Sequence, residues 1–151
     1  MTIKDLNQLA HEALCAKSTM PTYAVPMPKY NDRSANDLTK AIIAYIHLIG
    51  GRADRISSAG RYIKQSMGVD QVFNRKLETG KYIPSQTRNG YADINATYKG
   101  RSIMIEVKFG KDRQSEAQKL FAELERKAGG IYIVAKTFEQ FIKEFSNLLL
   151  L

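Results

Sequence analysis

Tyr91-Ala-Asp-Ile-Asn-Ala-Thr-Tyr98 and Arg101-Ser-Ile-Met-Ile-Glu-Val-Lys-Phe109, joined by Lys99-Gly100, form the stretch on which the fold turns. Each half alternates with the two-residue period of a strand, and a two-residue connection ending in glycine suits a hairpin turn. That turn sets Tyr98 opposite Arg101 and carries the pairing through Ala96 with Ile103, Ile94 with Ile105 and Ala92 with Val107. These residues make one apolar face. The other face carries Asp93 opposite Glu106 and Tyr91 opposite Lys108. A slip of one residue would send every side chain to the wrong face, so the pattern specifies its own register.

Downstream, Asp112 is placed to cap a helix running to about Lys127, with Ala117, Leu120, Phe121 and Leu124 along one side and Gly129-Gly130 as the stop. Ile131 to Ala135 reads as a short strand, and Phe138, Phe141, Ile142 and Phe145 as a final amphipathic helix. Upstream, a helix begins near Asn36 with Ser34 or Asn36 as N-cap. It carries Leu38, Ile42, Ile43, Tyr45, Ile46 and Ile49 and ends at Gly50-Gly51. His47 on this helix reads as a core residue with no catalytic role. A strand follows at about Ala53 to Ser57. Residues 58–89, with weak periodicity and several glycines, read as a loop with one short helix. This order predicts an α/β fold, a mixed sheet flanked by helices. Residues 1–33 form an N-terminal helical arm, with Ile3, Leu6, Leu9, Ala13 and Leu14 at helical spacing, and a linker containing Pro21, Pro26 and Pro28. Residues 34–151 form the domain. The arm has three options: to dock on the domain, to dock on a second copy, or to stay mobile.

A chain of 151 residues suits one domain, and 44% hydrophobic with 25% charged residues excludes a disordered polar chain. Cys15 alone, with only His11 and His47, excludes an internal disulfide and a four-ligand zinc site. The start lacks the apolar core of a signal peptide, and no apolar run is long enough to span a bilayer. The expectation is a cytoplasmic protein without a membrane partner. The net charge is +8, and residues 50–113 hold thirteen Lys/Arg against six Asp/Glu. Such a region suits a phosphate backbone, whose counterions it displaces. Arg61, Lys81 and Arg88 lie among Tyr62, Phe73 and Tyr82 in this region. They are candidate DNA contacts, basic groups for phosphates and aromatic faces for unstacked bases; the other reading has the aromatics tether a long loop.

Opposed side chains in an antiparallel pair have β-carbons about 4.5–5.5 Å apart, so Asp93 and Glu106 repel unless a cation joins them. Mg²⁺ prefers carboxylate oxygens and completes its shell with water and phosphate. Lys108 shares the face of Glu106. Gln118 follows on the next helix, where it can position the lysine, a water or a phosphate. Lys111 and Arg113, at that helix's start, add charge where backbone N–H groups favour an anion. The pattern suits phosphodiester hydrolysis by a metal-activated water, with Lys108 orienting the water or stabilising developing charge. The competing reading is an ordinary surface ion pair.

At these residues the sequence resembles the PD-(D/E)XK nuclease superfamily, in particular its VRR-NUC domains and the Holliday-junction resolvases of phages and archaea. The resemblance spans roughly residues 36–145 and rests on Gly90-Tyr-Ala-Asp93, Ile105-Glu-Val-Lys108, Ser115-x-x-Gln118 and Gly130-Ile-Tyr-Ile-Val134. It implies a restriction-endonuclease-like αβββαβ core, with Mg²⁺ or Mn²⁺ held by Asp93, Glu106 and the backbone carbonyl of Val107. Lys108 and Gln118 complete the catalytic site. It further implies a homodimeric endonuclease acting on DNA, branched DNA included. The alternative is a DNA-binding or assembly module that keeps the fold with weak or no catalysis. Ala92 stands where the superfamily's proline falls, and the first helix offers Asn36 and Asp37 where relatives carry a Glu.

Overall fold

The computed structural model describes residues 1–56, 61–70, 75–83 and 90–149. They form helices α1 (Ile3–Lys17), α2 (Ala35–Leu48), α3 (Glu116–Lys127) and α4 (Phe138–Leu149). The strands are β1 (Arg52–Arg55), β2 (Arg61–Asp70), β3 (Arg75–Ile83), β4 (Ile94–Tyr98), β5 (Arg101–Val107) and β6 (Ile131–Ala135). Two units result, residues 57–89 and the remainder of the chain.

The β4–β5 hairpin pairs Ile94 with Ile105, Ala96 with Ile103 and Tyr98 with Arg101, in the register set by the alternation. Lys99 and Gly100 both take positive φ, 48° and 76°, as a turn matched to strand twist requires. Ile94, Ala96, Ile103 and Ile105 are all buried. The ladder ends sooner than the alternation implies. The chain bends at Asp93, and Ala92 packs with Met104, Ala122 and Tyr132 instead of sharing the face of Val107. The cause is the Asp93 carboxylate, which accepts the N–H of Val107 at 2.8 Å.

The sheet order is β1-β4-β5-β6, with β1/β4 and β4/β5 antiparallel and β5/β6 parallel. A parallel neighbour needs a crossover, which α3 supplies. Ile105 and Ile133 on one face pack with Leu38, Ile42 and Ile46 of α2 and Phe138, Phe141 and Phe145 of α4. Met104 and Tyr132 on the other face pack with Ala122 and Phe121 of α3. The result is a mixed α/β fold. Among the described residues no helix is long and apolar enough to cross a membrane.

Of the arm's three options, the structure takes docking on the body. Leu6 of α1 is fully buried in the core with α2 and α4, a side chain whose burial contributes roughly 1.5–3 kcal/mol. Asn7 bonds both backbone groups of Tyr30, and the Asp32 carboxylate accepts the N–H of Phe138 at the start of α4. His47 is exposed, not a core residue, with Nε2 2.9 Å from the carbonyl of Ala53.

Two expectations about α3 are corrected. Its N-cap is Ser115, not Asp112, because the Asp112 carboxylate is drawn to Lys108. Leu120 and Leu124 are exposed, and the inward face carries Gln118, Phe121, Ala122 and Glu125. Residues 61–70 and 75–83 are also not the expected loop and short helix: they are the paired antiparallel strands β2 and β3, from Arg61/Ile83 to Asp70/Arg75, with a register shift between Ser66 and Gly68. Tyr62, Ile63, Lys64, Lys81, Tyr82 and Ile83 are exposed. Where residues 62–64 and 81–83 pair, neighbouring side chains are exposed on both faces, and such a stretch has no reason to alternate. Phe73, Arg88, Leu150 and Leu151 lie outside the described residues.

Candidate active site

Glu106 and Lys108 alternate with Ile105 and Val107 along β5, so both project from the sheet face that α3 covers. Neither is at the surface: Glu106 is 1% exposed and Lys108 6%. This is not the ordinary surface pair that the sequence also allowed. Lys108 Nζ lies 3.0 Å from Glu106 Oε1 and 3.4 Å from Asp112 Oδ2, whose side chain is itself well exposed.

Gln118 is held by the start of its own helix. Ser115 and Gln118 form a capping box: Ser115 Oγ accepts the Gln118 N–H, while Gln118 Oε1 accepts the Ser115 N–H at 2.9 Å. With its oxygen so committed, the amide turns Nε2 toward Glu106 Oε1, at 2.5 Å. Gln118 therefore positions the glutamate, not the lysine. Tyr132, on the neighbouring strand β6, donates a long hydrogen bond of 3.5 Å to Glu106 Oε2.

Burial pushes the Glu106 carboxyl above its usual range; the Lys108 hydrogen bond opposes this and the charge of Asp93 adds to it. Burial pulls Lys108 down, but its bonds and charge interactions with Glu106 and Asp112 outweigh that and leave it above the usual lysine range. Burial and then the Glu106 charge raise Tyr132, which stays a protonated donor. Glu106 and Asp112 thus set two carboxylates on one ammonium, and the charge of Asp93 acts on Glu106 from the same strand end. Asp93, Glu106 and the main-chain carbonyl at Val107 are hard oxygen donors suited to a divalent cation, which would relieve the repulsion between the two acids. Among the described residues no group of three or more His, Cys, Asp or Glu side chains is placed to hold a metal.

The structure thus brings Glu106, Lys108 and Gln118 into direct contact and sets Asp93 at the same end of β5. Lys111 and Arg113 are exposed in the connection before α3, short of the helix N-terminus at which they were expected. Asn36 accepts from Arg55 and Asp37 from Ser34, so both side chains serve local structure. Arg61 and Lys81 belong to the other unit, with Lys81 exposed. Tyr132 and Asp112 also belong to the site, although the sequence reading gave neither a role there. The only available hint was Tyr132's place in the glycine-led strand beside β5. The chain matches no protein-family model, and no curated protein matches it.

Proposed function

We propose that this chain is a Mg²⁺-dependent endonuclease that hydrolyses phosphodiester bonds of DNA, with Mn²⁺ as a substitute. The element order α2-β1-β4-β5-α3-β6, with the β2–β3 hairpin inserted, is compatible with a restriction-endonuclease-like αβββαβ core. The supporting observation is the Glu106–Lys108 pair, buried at a strand end beside Asp93 and held by Gln118. A buried ion pair is a poor device for stability alone, since apolar residues of similar size do as well or better. Its presence on this face is better explained by chemistry.

In this reading Asp93, Glu106 and the carbonyl of Val107 hold the cation. When bound, it supplies Lewis-acid polarisation of the phosphate and an acidified water. Lys108 presents its ammonium to the charge that develops on phosphate oxygens. Gln118 and Tyr132 fix the two oxygens of Glu106. Lys111 and Arg113 contact flanking phosphates, and the exposed Tyr62, Tyr82 and Lys81 meet unpaired bases and backbone. Branched DNA cut by a homodimer is the substrate and assembly that the resemblance suggests.

The test is incubation with Mg²⁺ or Mn²⁺ of linear, flapped and four-way-junction DNA, beside Glu106→Gln and Lys108→Ala variants shown to be folded. Cleavage by the wild type alone is the expected result. A wild type that binds these DNAs but leaves all of them intact is instead a binding or assembly module.

A further inference from the structure

A cleft of ≈ 230 Å³ opens beside Lys108. Its walls bring together Lys108 from the end of β5, Arg113 and Gln114 from the connection, Lys119 from the first turn of α3 and Lys136 just after β6. Asp112 is the one carboxylate of the lining and already faces Lys108. Among the described residues Arg113 and Lys136 have no carboxylate in ion-pair reach, and Lys119 meets only Glu116 in an exposed pair on its own helix. Such a pair contributes little and is readily exchanged for another anion.

The second observation concerns Gln114. Its Nε2 is buried beside the Tyr132 hydroxyl and makes no hydrogen bond of good geometry. A buried N–H group left without an acceptor costs free energy, which an arriving oxyanion recovers. Arg113 and Lys136, without a carboxylate partner, stand with Lys119 around this donor, and their summed positive potential favours an entering anion. The groups are donors almost throughout, which is the complement of a tetrahedral oxyanion.

We propose that this cleft is a phosphate subsite, taking one phosphoryl group of a polynucleotide beside the position served by Glu106 and Lys108. It rests on the nuclease reading for the identity of its ligand, but not for its ability to bind phosphate. A terminal phosphomonoester and an internal phosphodiester share this chemistry.

Inorganic phosphate is titrated into the full chain in EDTA, with amide shifts followed by NMR. Saturable shifts at residues 112–119 and 136 are expected, with affinity weakened roughly tenfold or more in the Arg113→Gln/Lys136→Gln variant. Lys143→Gln, an exposed cation on α4, leaves it unchanged. Pentathymidylates with a 5′-phosphate, a 3′-phosphate or neither then separate the sources. Tighter binding of one phosphorylated form marks a terminal phosphate; equal binding, weakened alike in the double variant, marks an internal one. No saturable shift, or a double variant that binds as the wild type does, overturns the proposal. Because no divalent metal or turnover enters, phosphate binding without DNA cleavage keeps the subsite and discards the nuclease, and the converse result does the reverse.

Discussion

Replacing Lys108 by methionine keeps the aliphatic stem and removes the cation 3.0 Å from a carboxylate that is 1% exposed. Stranding one partner of a buried pair costs about 3–5 kcal/mol while the survivor stays charged. Glu106 has an escape, since burial already holds its carboxyl above the usual range and Lys108 is the chief opposing influence. Without Lys108 the folded-state value climbs further, so the folded protein keeps a proton that the unfolded chain releases from about pH 4.3 upward. Stability therefore falls as pH rises toward the folded value, by at most about 1.4 kcal/mol per unit, and levels off above it. Urea unfolding from pH 4.5 to 8 is expected to place Lys108→Met within about 1 kcal/mol of wild type at the acid end and about 3 kcal/mol below it at pH 8. Adding Glu106→Gln removes the stranded charge and recovers most of the loss. A deficit that is flat across this range, or a double variant no better than the single, would refute the argument.

Asp93→Asn keeps an oxygen to accept the Val107 N–H, so unfolding should shift by less than about 1 kcal/mol while cleavage falls at least about a hundredfold; comparing the two readouts separates the structural from the metal-holding role. Gln118→Ala loses both the cap and the Glu106 contact and should cost about 2 kcal/mol in chemical denaturation. Gln118→Glu keeps a good capping residue but sets a carboxylate against Glu106; it should lose as much at pH 8 and little at pH 4.5, the same pH series being the check. Gly90→Ala should lower stability by about 2 kcal/mol or more, because φ is +84° and the new β-carbon meets the Ala117 backbone. Gly100→Ala, at φ +76° with open space around it, should cost about 1 kcal/mol, with thermal melts as the check on both glycine variants.

The β4–β5 register was legible because two independent constraints coincide, a turn that accepts positive φ and an alternation that only one pairing satisfies. Where a single local signal acts, tertiary demands decide. Asp112 and Ser115 are both good helix caps, but a buried ammonium at Lys108 needs counter-charge, and the aspartate that answers it is lost to the helix. Leu120 and Leu124 are more apolar than Gln118, but the face of α3 that meets the sheet must carry the group that bonds Glu106, and the leucines turn outward. The β2–β3 ribbon hides for the opposite reason, since nothing in its described side chains is buried and so nothing imposes a period.

Ser115-x-x-Gln118 shows why a motif at such a site has no single meaning. A serine followed three residues later by glutamine is a complete local signal for a helix start, sufficient without any active site. The same capping bond commits the amide oxygen and thereby leaves the amide nitrogen for the buried carboxylate. Folding and positioning are thus one geometric fact, and the sequence cannot apportion the residue between them. Only a substitution that preserves one role while reversing the other can, which is what glutamate at position 118 does.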